Sequence, residues 1–376
     1  MVPDAKGVQS SAGGATTAAE NELRWGPIVF HPRFFYRMSY GDQLQAAPGV
    51  QEESFLHEIS AAMTFDLGEH WRLDYAPSML YYSSDEFEDT LNHTIGLSGS
   101  TTYQDWAFGL AQSCFLGSNL RTETGGQTEE ENYATSLTAS RLLGSQMSLD
   151  MSLHQSLRFV GEGNSTLALT DSKDWSTVNW LNYQLAQHLG LAVGFTFGYV
   201  DVRVGSDMTY EQIQGRINWQ AGEKLSLLLT GGADLRQFID SDISDLLNPL
   251  FGLTIEYKVL EQTTLSVNAN HAVNASYFAN QVTENTSVGA GLRQRLFGKL
   301  NVDISGGYGF SSYTSTASGL SVDRQDDSFY YGARLGTTFL KRGTISVFYY
   351  ASENTSNESG FSYSNNQIGV EIGYRY

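Results

Sequence analysis

Polar and apolar residues alternate with a period of two, segment after segment, from Trp25 to the last residue. In segment 366–376 the even positions hold Ile368, Val370, Ile372, Tyr374 and Tyr376. The odd positions hold Gln367, Gly369, Glu371, Gly373 and Arg375. A strand sends successive side chains to opposite faces, so this segment reads as a strand with one apolar face. Leu191, Val193, Phe195, Phe197 and Tyr199 alternate in the same way with Ala192, Gly194, Thr196 and Gly198. So do Met147 to Leu153, Leu300 to Ile304 and Trp71 to Tyr75. The segments run about 12 to 15 residues, where soluble strands average five or six. A tilted strand needs about 9 to 11 residues to cross the hydrocarbon of a membrane.

The connections alternate between tight and long. Tight ones fall near Gly68, Gln104, Gly144, Leu189, Gly222, Glu261, Gly298 and Arg342. Long polar ones span Gly41–Gln51, Gly117–Glu130, Gly161–Lys173, Asp240–Asp245, Asn274–Gln281, Ser312–Asp326 and Glu353–Ser362. Two shorter loops lie at Ser83–Asp89 and Gly205–Asp207. Short turns at one end and long loops at the other are the pattern of outer-membrane barrels. The pattern predicts a closed, all-β, antiparallel transmembrane barrel of about 18 strands, with 16 or 20 as alternatives, because one misread strand shifts the count by two. Both chain ends then share the tight-turn, periplasmic side. A propeller blade would hold four short strands per repeat, and here each repeat holds two long ones.

Residues 1–23 are small and polar and predict a flexible periplasmic lead, with the barrel over 24–376. The start lacks the apolar core of a signal peptide, so a mature form with a replaced start is expected. The chain has 21 Tyr, 20 Phe and 38 Gly but 6 Pro, a balance suited to long strands. No stretch approaches the ~18 apolar residues of a transmembrane helix. The net charge of −19 argues against nucleic-acid binding, which needs a basic face. Cys114 is the one cysteine, so an intrachain disulfide is excluded. Trp71, Trp106, Trp219, Tyr257, Phe339 and Tyr376 fall on the apolar face beside the tight turns. Tyr81, Tyr199, Phe310, Tyr331 and Tyr349 fall on it near the loops. Two such bands are expected at the two headgroup levels of a membrane.

The opposite face should line the lumen. Alternation places Arg33, Arg37, Arg72, Arg158, Arg216, Lys224, Arg236, Lys258, Arg293, Arg295, Arg334 and Arg375 there. The acids on the same face are Glu58, Asp66, Asp74, Asp150, Asp234, Glu256, Asp303 and Glu371. Twelve basic against eight acidic residues leave the wall net positive, while acids crowd loop segments such as 128–132 and 323–327. Lumen Arg and Lys favour anions. The competing reading is that these charges pair across strands, Arg72 with Asp74 or Arg236 with Asp234. Eighteen strands imply a backbone diameter of roughly 35 Å and an open passage of about 15 Å, unless a loop or the lead fills it. The seven histidines show no metal spacing, and no metal or other cofactor is expected. His154 and Ser156 form a His-x-Ser triplet on the lumen side without a surrounding motif, so no enzyme is predicted. The sequon at Asn164 reads as a chance match, and Asp240-Ser241-Asp242 as a solvated loop face.

The evenly spaced hairpins, the segment 343–366 and the ending "SYSNNQIGVEIGYRY" resemble the β-barrel porin type 2 group. That resemblance implies an outer-membrane barrel associated with exopolysaccharide export. It has no sharp motif, so it carries over no site residues. Tyr376 resembles the aromatic C-terminal signal read by barrel-assembly machinery, although the group usually ends in Phe. The function expected is a passive conduit for an anionic or neutral exopolysaccharide. The partners expected are outer-membrane lipid and lipopolysaccharide, the assembly machinery and a periplasmic polysaccharide-export complex. One alternative is a general diffusion porin for small solutes, which a long loop folded into the lumen would mark. A second is a structural or adhesin barrel displaying acidic loops.

Overall fold

The computed structural model describes residues 23–161, 168–239, 241–317 and 322–376. The expected lead, apart from Leu23, lies outside the described residues, as do the Asn164 sequon and Asp240. The strands are β1 (Leu23–Trp25), β2 (Ile28–Ala47), β3 (Val50–Leu67), β4 (Trp71–Tyr82), β5 (Thr90–Tyr103), β6 (Trp106–Arg121), β7 (Gly126–Leu142), β8 (Met147–Val160), β9 (Ser172–Ala186) and β10 (Leu189–Val202). They continue as β11 (Met208–Ala221), β12 (Leu225–Phe238), β13 (Leu246–Leu260), β14 (Thr263–Ala275), β15 (Gln281–Leu296), β16 (Leu300–Ser315), β17 (Gln325–Phe339), β18 (Gly343–Ser356) and β19 (Tyr363–Arg375).

Each long strand pairs antiparallel with the next, and β19 returns to β2 from Asn366↔Asp42 to Arg375↔Arg33. The result is a closed barrel of eighteen strands, β2 to β19. Closure matters because a strand edge leaves a row of backbone donors and acceptors unpaired, and in hydrocarbon no water can satisfy them. β1 pairs with Ile28 to Phe30, just past the point where β19 ends, and so covers the start of β2. β2 begins and β19 ends at the tight-turn end of the barrel.

The tight turns fall within a residue or two of their expected places. All the long loops but the one expected at Asp240–Asp245 are shorter than expected, because the strands run on beyond them. β2 and β3 leave only Pro48 and Gly49 of the loop expected at Gly41–Gln51. β6 and β7 leave only 122–125 of the loop expected at Gly117–Glu130. Polar sequence does not end an antiparallel ladder while a neighbouring strand still offers partners, since strand preference depends on context.

Alternation sorts the two faces as expected. On β10, Val193 is 65% exposed on the outside while Ala192 and Thr196 are buried on the inside. Trp180 lies flat over Gly194 on the inner face, where any Cβ would come within 2.7 Å of the indole. Trp71, Trp106, Trp219, Tyr257, Phe339 and Tyr376 all stand on the outer face next to the tight turns, and Arg342 and Arg141 lie over Tyr376 and Trp106. Val347 is half exposed on the outer face of β18, between Leu335 and Val370. Replacing it with Arg should destabilise the barrel by about 2–4 kcal/mol if that face meets lipid. Urea unfolding of the protein in lipid vesicles measures this; an unchanged midpoint would place the apolar face elsewhere.

Candidate functional site

One side of the inner wall carries a run of ion pairs. On the strip from β15 through β19 to β4, guanidinium groups alternate with carboxylates. Arg293 bonds Asp303 at 2.9 Å. Arg334 and Arg37 both reach Glu371, each at 2.6 Å, and Arg37 also approaches Glu58 at 3.5 Å. Arg33 contacts Asp74 at 3.5 Å, and Arg72 bonds Asp66 at 2.9 Å. Neighbouring strands in register bring these side chains together, so one strip carries both signs. Arg72 takes Asp66 rather than the Asp74 expected, because Asp66 is its cross-strand partner and Asp74 lies two residues along its own strand.

Six of the twelve expected lumen cations are therefore ion-paired: Arg33, Arg37, Arg72, Arg236, Arg293 and Arg334. The other six have no carboxylate partner among the described residues. Arg216 lies 4.2 Å over the Trp180 ring and donates to Asn182 at 2.7 Å. Arg295 donates to the Gly298 carbonyl at 3.0 Å. Arg158 donates to the carbonyls of Ala275 and Ser276. Lys258 and Arg375 stand near the tight-turn rim, and Lys224 lies in the β11–β12 turn itself. His154 places its Nε2 2.9 Å from Ser152 Oγ on its own strand, rather than pairing with Ser156 as a catalytic dyad would.

The feature that alternation did not show is at the loop end. β13 pairs with β14 only as far as Phe251↔His271. Above that point β13 stays with β12 up to Leu246, whereas β14 leaves the wall still paired with β15 up to Ala275↔Val282. Pro249 sits on the stretch of β13 thus left as an edge, where a missing N–H is tolerated. The hairpin bends inward across the lumen. Val273 and Val282, whose parity is outward lower down, pack against the lumen-facing Val200, Met208 and Tyr210 of β10 and β11. The tip, residues 276–280, forms an antiparallel bridge Leu169↔Phe278 with the β8–β9 loop. Asn280 donates to the Val204 carbonyl of the β10–β11 loop at 3.4 Å.

Charged side chains hold the displaced hairpin. Arg236 donates to the Val273 carbonyl at 2.6 Å and is itself paired with the fully buried Asp234. Glu123 accepts from Ser276 Oγ at 2.6 Å and from the Tyr277 amide at 2.8 Å. Tyr277 donates its hydroxyl to Glu130 at 2.9 Å, and Arg121 also binds Glu130. On the other flank, Arg324 stacks on Phe361 at 3.7 Å, pairs with Asp326 at 2.6 Å and donates to the Glu123 carbonyl at 2.8 Å. Arg324 also lies over Tyr313. Burial pushes the Tyr277 hydroxyl well up from its ordinary value, so it stays a donor. Loops from β2–β3, β6–β7, β8–β9, β14–β15, β16–β17 and β18–β19 thus interlock across the mouth.

None of Glu123, Glu130, Tyr277 or Arg324 stood among the expected site residues, because all four fall in segments read as solvent-facing loops. Signals existed in the aromatic pair Tyr277-Phe278, the flanking Val273 and Val282, and Pro249 in mid-strand. Adding Arg121 and Arg324, with Glu123, Glu130, Asp174 and Asp326, gives fourteen basic against twelve acidic lumen residues and halves the expected excess.

No family model matches the chain and no curated protein matches it, so the likeness to the type 2 group extends to the barrel architecture alone. Solved structures do match. OccAB3 of Acinetobacter baumannii is 9% identical over 92% of this chain and 99% of that chain, with a TM-score of 0.50. The siderophore receptor PirA from Acinetobacter baumannii is 8% identical over 96% of this chain and 81% of that chain, also with a TM-score of 0.50. A bacterial polysaccharide outer membrane secretin is 9% identical over 92% of this chain and 98% of that chain, but its TM-score of 0.40 is too low to bear on export. At these identities the likeness is one of fold: this chain has the fold of large outer-membrane barrels.

Glu130 lies beyond the outward Tyr133, outside the membrane-spanning part of β7. Burial pushes its carboxyl up, but Arg121 beside it and hydrogen bonds from Arg121, Asn132 and Asn119 outweigh that and hold it below the usual range. The clamp on Tyr277 is therefore complete at and above the ordinary glutamate range and is lost as pH falls through the depressed value. The protection of amides 276–280, corrected for the intrinsic pH dependence of exchange, should fall as pH drops below the ordinary glutamate range, and Glu130→Gln should remove most of that change. Protection that is indifferent to pH in the native chain would show that Glu130 does not hold the tip.

Proposed function

We propose that this chain is a passive diffusion channel for small solutes through the outer membrane of a Gram-negative bacterium. The observation that carries the reading is the β14–β15 hairpin folded across the lumen. An exopolysaccharide conduit needs a continuous wide passage, and the interlocked loops replace the roughly 15 Å opening estimated from strand number. A narrowed mouth suits a channel that sieves by size. The same reading seats Tyr376 and the other outer-face aromatics at the headgroups, in contact with lipid and lipopolysaccharide. It sets both chain ends in the periplasm and leaves insertion to the barrel-assembly machinery.

The channel prefers anions, though weakly. Paired guanidinium and carboxylate groups nearly cancel along β15 to β4, so selectivity rests on the cations without a carboxylate among the described residues. Arg216 in the barrel wall and Arg295 and Lys258 near the tight-turn rim are the main ones.

Liposome swelling tests the size limit. Monosaccharides and amino acids should enter, and oligosaccharides of more than a few units should not. Excising residues 276–280 should admit the larger sugars. Free entry of long oligosaccharides into the native protein would return the reading to a polymer conduit. Reversal potentials test the charge. Replacing Arg295 and Lys258 by Ser should lower anion preference more than replacing the pair Arg293 and Asp303 by Ser. The opposite ranking would mean that paired charges set the selectivity.

A further inference from the structure

Arg158 differs from the other arginines around the hairpin tip. Arg236, Arg121 and Arg324 each pair with a carboxylate: Asp234, Glu130 and Asp326. Arg158 has no carboxylate within reach among the described residues. Its Nη2 donates to the Ser276 carbonyl at 2.5 Å, its Nη1 approaches the Ala275 carbonyl at 3.4 Å, and its Nε is buried without a partner. Its guanidinium lies 3.9 Å over the Tyr277 ring. A fork built for a carboxylate or a phosphate is held instead by neutral oxygens of the hairpin tip. The Arg158 bonds already have a charged donor, but an oxyanion adds a Coulombic attraction that a neutral carbonyl lacks. An arriving oxyanion therefore outcompetes those two carbonyls, and the tip loses the hold that Arg158 gives it.

We propose that Arg158 is the recognition site for the carboxylate or phosphate group of a small solute, and that binding there releases the β14–β15 hairpin from the mouth. The proposal rests on the channel reading and adds to it a ligand class and an opening step. Geometry favours such a step. The tip is bound to the far wall through side-chain contacts, one isolated β-bridge and single backbone bonds at Asn280 to the Val204 carbonyl and from the Thr316 amide, not through a ladder. With Arg158 turned to the solute, the carbonyls of Ala275 and Ser276 face the water that enters, so no buried acceptor is stranded. With no anion present, Glu123 and Glu130 add their bonds to Ser276 and Tyr277 to the hold of Arg158 and keep the hairpin closed.

A reversible lock tests this. Leu169 and Phe278 form a non-hydrogen-bonded pair, flanked by Ala279 N to Ala168 O and Thr170 N to Tyr277 O, both 2.9 Å. Such a pair has its Cα atoms about 4.5 Å apart, within disulfide range. Leu169→Cys with Phe278→Cys, in a Cys114→Ser background, should tie the tip down when oxidised. Single-channel currents in planar bilayers are recorded before and after reduction, with malonate or inorganic phosphate added to a chloride bath. In the reduced protein at least one of these anions should raise the open fraction severalfold, and the one that does so identifies the solute as carboxylate or phosphate. The oxidised protein should not respond. Arg158→Met on the native chain should abolish the response, and Arg158→Lys should restore it in part. An equal response in oxidised and reduced protein, or an unchanged response in Arg158→Met, would overturn the proposal while leaving a channel with a fixed constriction. A protein that passes no ions even with residues 276–280 excised would defeat the channel reading and the latch together.

Discussion

The backbone hydrogen-bond inventory governs this molecule. Eighteen strands satisfy one another around a ring, and the return of β19 to β2 leaves no edge through most of the wall. At one place the ring is broken on purpose: β14 parts from β13 above Phe251 and His271. The acceptors freed there do not go unmet. Arg236 takes the carbonyl of Val273, and Arg158 takes those of Ala275 and Ser276. Guanidinium groups expected to face passing solute instead serve the backbone of the folded hairpin, and that substitution allows an opening in the sheet.

The barrel was legible because its signal is repeated eighteen times. A period of two over a dozen residues survives local noise, and even the strand number followed from the alternation of turns and loops. The outer face was legible for the same reason: Val193, Phe195 and Phe197 could face nothing but an apolar medium or a core. The mouth was not legible, and the reasons are specific. Parity assigns a side chain to a face of the wall, and β14 and β15 leave the wall. Val273 and Val282 keep their outward parity yet pack on the inner surface of β10 and β11. Glu130 and Asp326 belong to acid-rich stretches that read as solvated, but each is buried against an arginine from the neighbouring strand or the adjoining loop.

Charge shows the same limit. Summing inward residues by alternation left a positive wall, yet half of the expected cations are engaged by acids, five of them across strands and Arg236 along its own. Cross-strand pairing depends on register, which the pattern of polar and apolar positions leaves open to a shift of two. Arg72 with Asp66, rather than Asp74, is the plainest case. A lumen lined by matched pairs presents a patterned field with little net sign. The few cations outside those pairs then count for more than their number.

The contacts at the mouth also order events in time. Glu123 and Ser276 are 153 residues apart in sequence, and Arg324 and Glu123 are 201 apart. Phe361, on the loop before the last strand, completes the stack on Arg324. These contacts draw on both halves of the chain, so they form only once the first and last strands have come round to meet. The loops therefore record that the cylinder has shut: a chain inserted with a strand missing or slipped has no way to assemble them. A partly built wall would stand open, and the finished one closes itself.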